Sequence, residues 1–292
     1  MTVNSILTAA STASTTPTGR RPHSGRRRKL LVGGDYEVLI SEHADDVEAA
    51  QRLRFDVFRA EPGYSADIGD DASGLDADHF DVHCEHLLVR HAPTGALVGC
   101  ARLLPPPRAI TAGGWYSADE FDLSELAGIR GDTVEMGRAV VHPEHRSGSV
   151  TGMLWAALLA YLEEGEYRYL MGCVSVPLPS PEGRGRELRG VRDVALERHR
   201  APWTVRPYRE VVVDGQGLDA VEPPSRPALP PLLRGYVRLG ARVCGEPAFD
   251  PIFDVGDLLT VLDRTQGHER YLQRLQDSVT RLDAGASEAR IA

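Results

Sequence analysis

Apolar positions along the chain alternate between two periods, and the switches between them outline an α/β protein. The short apolar-rich run Tyr36 to Ile40 predicts a strand, and the spacing of Ala49, Leu53 and Val57 predicts a helix from about Ala44 to Phe58. After the acidic loop Glu61 to Asp78, Glu85 to Arg90 and Ala96 to Leu104 flank a Pro93-Thr-Gly95 turn and predict a hairpin. Pro105 to Pro107 ends its second strand, because proline cannot donate to a central ladder. The strand Val134 to Val141 leads through His142-Pro143 into a helix from about Val150 to Glu163, with Leu154, Trp155, Leu158, Leu159 and Leu162 on its core-facing stripe. Tyr169 to Val176 predicts the next strand. Pro179 to Arg209 is an Arg-rich insertion with a short helix near Val191 to His199, and strands follow at Glu210 to Val213, Val237 to Cys244 and Phe249 to Phe253. Val255 to Leu282 reads as helix, with Leu272, Leu275, Val279 and Leu282 at heptad spacing too short for a coiled coil. One mixed sheet flanked by helices accounts for this order. The expected division is an extension over 1–34, one domain over 35–263, and a C-terminal helix and tail over 264–292.

Charge adds an asymmetry to the pattern. Six cations and no acid precede Asp35, so the formal net charge of -9 divides into +6 on the extension and -15 on the body. An acidic body argues against nucleic acid as a partner. The basic arm reads as a solvated tail, with contact to an anionic membrane surface as the alternative. Cys84, Cys100, Cys173 and Cys244 are widely spaced in apolar settings and read as free thiols of a reducing compartment. No apolar stretch follows the basic cluster as a signal peptide requires, and Met153 to Leu162 is about half the length of a bilayer span. A cytoplasmic enzyme, at most peripheral to the inner membrane face, is the expectation.

Glu135 and Arg138 carry the sharpest chemical signal, an acid and a base three apart in the apolar run Val134 to Val141. Burying an unpaired charge costs several kcal/mol, so such residues persist as a mutual ion pair, as ligand contacts or as catalytic groups. A second acidic cluster, Asp76-Ala-Asp-His-Phe-Asp81, has His79, His83 and His86 nearby, but its spacing matches no closed zinc site. Neither a metal nor another cofactor is expected.

These residues, with Leu53-Arg-Phe-Asp-Val-Phe58, Phe80 to Val89, Val98 to Leu104, Tyr169 to Ser175 and Pro230 to Pro247, resemble the ornithine-acyl carrier protein N-acyltransferases. That group belongs with the "hemolysin-like" GNAT proteins and is more distantly similar to acyl-homoserine-lactone synthases. The resemblance spans Tyr36 to Asp263. It implies a GNAT-like fold and transfer of a 3-hydroxylated fatty acyl group from acyl carrier protein to the α-amine of ornithine, the first step of ornithine lipid synthesis. It also implies Glu135, Arg138 and Arg102 as catalytic residues and Arg54, Phe58, Asp78 and Asp81 as substrate-binding residues. Tyr64 stands near the place of a tryptophan that the signal synthases carry. Glu135 would take the amine proton, with backbone N–H groups near Val140 and Val141 as oxyanion donors. Asp78 and Asp81 would grip a cationic acceptor or hold Arg54 and Arg102. In the loop Arg146-Ser-Gly-Ser-Val-Thr-Gly152 the glycines are out of register with the usual coenzyme A pyrophosphate turn, which favours a carrier-protein thioester. Arg184, Arg186, Arg189, Arg192, Arg198, Arg200, Arg206 and Arg209 would supply the basic surface for the acidic carrier. Two alternatives stand beside this reading: acylation of another amino acid or signal-molecule acceptor, and a non-catalytic membrane-associated binding protein.

Overall fold

The computed structural model describes residues 27–65, 68–146 and 148–266. Its centre is an eleven-stranded sheet. Along it run β1 (Arg28–Gly33), β2 (Tyr36–Ser41), β3 (Glu85–His91), β4 (Leu97–Leu104), β6 (Thr133–Val141), β7 (Tyr169–Pro177), β13 (Val255–Asp263), β11 (Arg242–Gly245), β8 (Arg200–Pro207) and the short β5 (Phe121–Asp122). The short β12 (Ala248–Asp250) pairs with β13, and β9 (Val212–Val213) and β10 (Gln216–Gly217) form a separate small hairpin. Helices α1 (Ala44–Ala60) and α3 (Ser149–Glu164) lie on opposite faces. Strand alternation explains how: Val38 and Ile40 pack with Met153 and Leu158 of α3, while Leu39 between them packs with Ala50, Leu53 and Val57 of α1. Three further helices are α2 (Pro106–Thr111), α4 (Arg186–Arg198) and α5 (Pro231–Leu239). Trp155 of α3 meets Tyr236 of α5 edge to face at 4.7 Å.

The sheet opens at one point. β6 and β7 are parallel neighbours only from Thr133–Glu135 against Tyr169–Met171, after which β7 continues bonded along its length to β13. Gly172 marks the last close approach, since a Cβ there would lie 2.3 Å from the Met136 carbonyl oxygen. Beyond it the second half of β6 keeps only β4, across a register shift between Cys100 and Arg102. Arg138 sits in that irregularity with φ of 52°, backbone that a non-glycine residue rarely adopts and that active sites concentrate.

Several expected elements change. Arg28–Gly33 is a paired strand rather than part of the extension, tied by Arg28 to Glu164 and Lys29 to Glu37. The apolar run Val237 to Cys244 is the end of α5 followed by β11, because Gly240 with φ of 106° ends the helix inside it. Val255–Asp263 is not helix but a strand between β7 and β11, buried over nearly its whole length. A central strand reads as a continuous apolar run and so loses the period that would identify it. In the Arg-rich insertion α4 begins at Arg186, and Arg200–Pro207 joins the sheet as β8. Residues 1–26 of the basic arm and 267–292 of the C-terminal segment lie outside the described residues. Among the described residues no helix is long and apolar enough to cross a membrane.

Candidate active site

A cavity of about 110 Å³ occupies the fork where β6 leaves β7. Glu135, Arg138, Arg102 and Phe58 of the sequence-derived set line it, together with Tyr64, Tyr116, Ser117, Cys173, Asp250, Phe253 and Asp257. Arg54, Asp78 and Asp81 do not.

Glu135 and Arg138 are not a mutual ion pair. One Glu135 oxygen accepts from the Tyr116 N–H at 2.7 Å, and the other from the Ser117 N–H at 2.8 Å and the Ser117 hydroxyl at 2.6 Å. The carboxylate thus anchors the 3-10 turn Tyr116–Asp119 against β6 while lining the cavity. Burial raises its pKa against the opposing pull of those three donors and of the Arg102 charge. Arg138 turns instead toward Asp76, with Nε 3.3 Å from a carboxylate oxygen, and lies over the rings of Phe253 at 4.8 Å and Tyr116 at 5.1 Å.

Asp81, expected to grip a cationic acceptor or to hold Arg54 and Arg102, has its carboxylate on those two arginines. It is 2 % exposed, and its oxygens accept from Arg54 Nη1 and Nη2 at 2.9 Å each, Gln51 Nε2 at 3.0 Å, the Asp78 N–H at 3.1 Å and Arg102 Nη1 at 3.2 Å. Burial works against ionisation, yet the Arg54 hydrogen bonds and the Arg54 and Arg102 charges hold its pKa well below the ordinary carboxylate range. Arg54, expected to bind substrate, is 1 % exposed and spends its remaining nitrogen, Nε, on the Asp76 carboxylate. Asp78 accepts from Arg102 Nη1 at 2.6 Å. Three arginines (54, 102, 138) and three aspartates (76, 78, 81) thus interleave behind the cavity wall, and only Arg102 and Arg138 reach the cavity itself. The second alternative of the sequence reading, aspartates that hold arginines in place, is the geometry observed.

Phe58 stacks on Tyr64 at 6.1 Å, and both meet Phe253 edge to face, an apolar wall beside Arg138. Near Val140 and Val141 the backbone divides: the His142 N–H bonds Val98 O of β4, so by alternation Val140 shares that side and the Val141 N–H faces away from β4. His86 is fully buried beside the Asp81 carbonyl, and burial lowers its pKa.

The sequence reading missed one feature of the site. Carboxylate oxygens of Glu120, Asp250 and Asp257 lie within 4.8 Å of one another, the one group of this kind among the described residues. Burial and mutual repulsion push Glu120 up to about 9, and burial pushes Asp257 up to about 7 against its bond from the Ser175 hydroxyl. Asp257 gave the same signal as Glu135, an acid inside an apolar run, and reading Val255 onward as helix hid it. The Arg-rich insertion divides into two sets. Arg184 pairs with Asp254, Arg186 with Glu222, Arg189 with Asp193, and Arg192 with Glu246 and Asp219, whereas Arg198, Arg200, Arg206 and Arg209 are exposed.

Residues 53–156 match a family model described as an acetyltransferase (GNAT) domain, and the mixed sheet flanked by helices is GNAT-like. The chain is 32 % identical over 257 residues to an L-ornithine N(alpha)-acyltransferase of Brucella abortus, covering 83 % of this chain and 90 % of that protein. A protein of the same name from Rhodobacter capsulatus is 32 % identical over 250 residues, covering 81 % and 93 %. Among solved structures, a CoA-dependent acyl-homoserine lactone synthase with SAM and isopentyl-CoA aligns at a TM-score of 0.48 and 17 % identity, over 81 % of this chain and 83 % of that one.

Proposed function

The chain belongs to the L-ornithine N(alpha)-acyltransferase family, and on that premise we propose that it moves a 3-hydroxylated fatty acyl group from acyl carrier protein to the α-amine of ornithine, the first step of ornithine lipid synthesis. The observation that carries the proposal is family membership joined to a cavity with a carboxylate of raised pKa, Glu135, at the fork of the sheet. The neutral α-amine attacks the thioester carbonyl. A nitrogen–carbon bond forms, the carbon–sulfur bond breaks, and the amine proton passes to Glu135 and onward to the departing thiolate. Glu135 has to be ionised for this, so activity falls on the acid side as pH drops through its raised pKa. Arg102 and Arg138 set positive charge at the cavity wall, where the tetrahedral oxyanion develops. Arg54, Asp78 and Asp81 position those arginines, while Phe58 packs against the substrate from the apolar wall.

A different face serves the carrier. Leu232 and Tyr236 of α5 line the cavity, and Arg234 and Arg238 on the same helix are exposed with no acidic partner within 4 Å among the described residues. Charge of this sign beside the cavity suits an acidic donor. Reversing Arg234 and Arg238 to Glu should raise the KM for acyl carrier protein about 10-fold at low salt with little change in kcat, and the difference should shrink toward ~1 M salt. An unchanged KM would remove α5 as the docking face. Arg20, Arg21 and Arg26 of the basic arm carry the charge for a contact with anionic lipid on the inner membrane face.

The test of the activity uses purified protein, 3-hydroxyacyl carrier protein and L-ornithine, with product mass read by mass spectrometry. Mono-acylated ornithine with stoichiometric thiol release is expected. Acylation of other amino acids but not ornithine would leave only the broader N-acyltransferase reading.

A further inference from the structure

We infer that Asp250 and Asp257, which line the cavity, and Glu120 beside them form a subsite for the side-chain ammonium of a dibasic amino-acid acceptor, which makes this cluster the specificity determinant of the cavity. The inference rests on the proposed ornithine acylation and adds the residues that recognise the acceptor.

Two observations carry it besides the clustering. The first is unused acceptor capacity. Asp257 is 4 % exposed and Asp250 7 %, and both line the cavity. One Asp257 oxygen takes the Ser175 hydroxyl at 2.6 Å, and one Asp250 oxygen takes the Ile252 and Phe253 N–H groups at 2.7 and 3.3 Å. Among the described residues no hydrogen-bond donor reaches the other oxygen of either. Both residues line the cavity, so the free oxygens are acceptors available to a partner from outside the chain. The second is charge. The nearest cation, Arg138, is already matched by Asp76 and Asp78, so the cluster has no counter-cation of its own. Burial and mutual repulsion in that condition raise carboxylate pKa values, and Asp257 and Glu120 are both pushed up.

Geometry suits an ammonium group. Three N–H···O bonds of about 2.9 Å at tetrahedral angles place their acceptors roughly 4.7 Å apart. The oxygens of the cluster lie within 4.8 Å of one another. Spacing to the reacting end also suits. Contacts of 2.6, 3.5 and 3.7 Å run from Glu135 to Ser117, on to Cys173, and on to Glu120, which sets the base and the cluster apart by a distance a five-carbon diamino acid can bridge. With the side-chain ammonium held in the cluster, the α-amine is the nitrogen presented toward Glu135. Regioselectivity between two amines of one substrate then follows from the cavity.

The test measures binding of L-ornithine, L-lysine, L-2,4-diaminobutyrate and L-norvaline by calorimetry, and their acylation, in the wild type, Asp257→Asn and Glu120→Gln. Norvaline keeps the carbon chain of ornithine and lacks the side-chain charge. Wild type should prefer ornithine over norvaline by roughly 30-fold or more, the range expected of a buried ammonium–carboxylate contact, and each substitution should cut that preference by about 10-fold. Both substitutions keep side-chain shape, and thermal melting verifies folding; two variants on separate elements keep the result readable if one fails. An ornithine preference that survives both substitutions overturns the subsite while ornithine acylation stands. Acylation of lysine or diaminobutyrate but not ornithine, with the charge preference lost in Asp257→Asn, overturns ornithine while the subsite stands. Tight stoichiometric binding of Mg²⁺ or Ca²⁺ that is lost in both variants would make the cluster a metal site and overturn the inference.

Discussion

Glu135→Gln is expected to lower kcat for thioester aminolysis by roughly 100-fold or more while the protein remains folded. The substitution removes the group that takes the amine proton and keeps the side chain's shape. It has a local cost as well. Both oxygens of Glu135 accept backbone N–H bonds, so the Gln amide turns a donor toward either Tyr116 or Ser117, a mismatch of about 1–3 kcal/mol. Relief of a buried charge offsets part of this. Ser117→Ala separates the two effects, because it removes the hydroxyl that bonds Glu135 and Cys173 and leaves the carboxylate in place. Its kcat should fall by less than about 10-fold, and it should keep the acid limb of the pH profile that Glu135→Gln loses. Single-turnover rates across the pH range check both variants. Equal losses in the two would show that Glu135 works by anchoring the Tyr116 turn, and the proton-transfer role would fall.

The sequence exposed those parts of the molecule in which one local signal has one structural meaning. Glu135 and Arg138 stood out because two charges interrupt an apolar strand, and β6 does carry both to the fork of the sheet. Residue spacing does not carry the partner of a buried charge. The same interruption is compatible with an Arg138–Glu135 pair, and only the bulge that gives Arg138 its positive φ turns its guanidinium away toward Asp76. Asp257 was hidden by a wrong period: a fully buried central strand loses alternation, and its apolar run merged with the segment after it. β11 was blurred for the opposite reason, since α5 and the strand are joined through one glycine without a polar break. The Arg-rich insertion shows the limit of composition: in a run of cations that suggests one docking surface, Arg184, Arg186, Arg189 and Arg192 are engaged by Asp254, Glu222, Asp193 and Glu246, and Arg198, Arg200, Arg206 and Arg209 are exposed.

Asp81→Asn is expected to cost stability far more than substrate binding. Asp81 belongs to a buried set of three arginines and three aspartates, and neutralising one aspartate leaves Arg54, 1 % exposed, without the charge that faces two of its nitrogens. Breaking one partner of such a set typically costs about 3–5 kcal/mol. At roughly 2–4 °C per kcal/mol for a domain of this size, the melting temperature should drop on the order of 10 °C. The sign with pH follows from the depressed Asp81 pKa. A carboxylate held below its unfolded value stabilises the fold at pH above about 4, and that contribution is lost as pH falls toward the lower folded value. The gap between wild type and Asp81→Asn in urea denaturation should therefore be constant from neutral pH down to about pH 5 and close below about pH 4. Because Arg102 lines the cavity and leans on Asp81, a modest fall in kcat should accompany the lost stability, with the ornithine KM nearly unchanged. A variant that melts within about 2 °C of wild type yet raises the ornithine KM by about 10-fold or more would put the Asp81 carboxylate on the substrate instead, and the acceptor site would have to be redrawn around it.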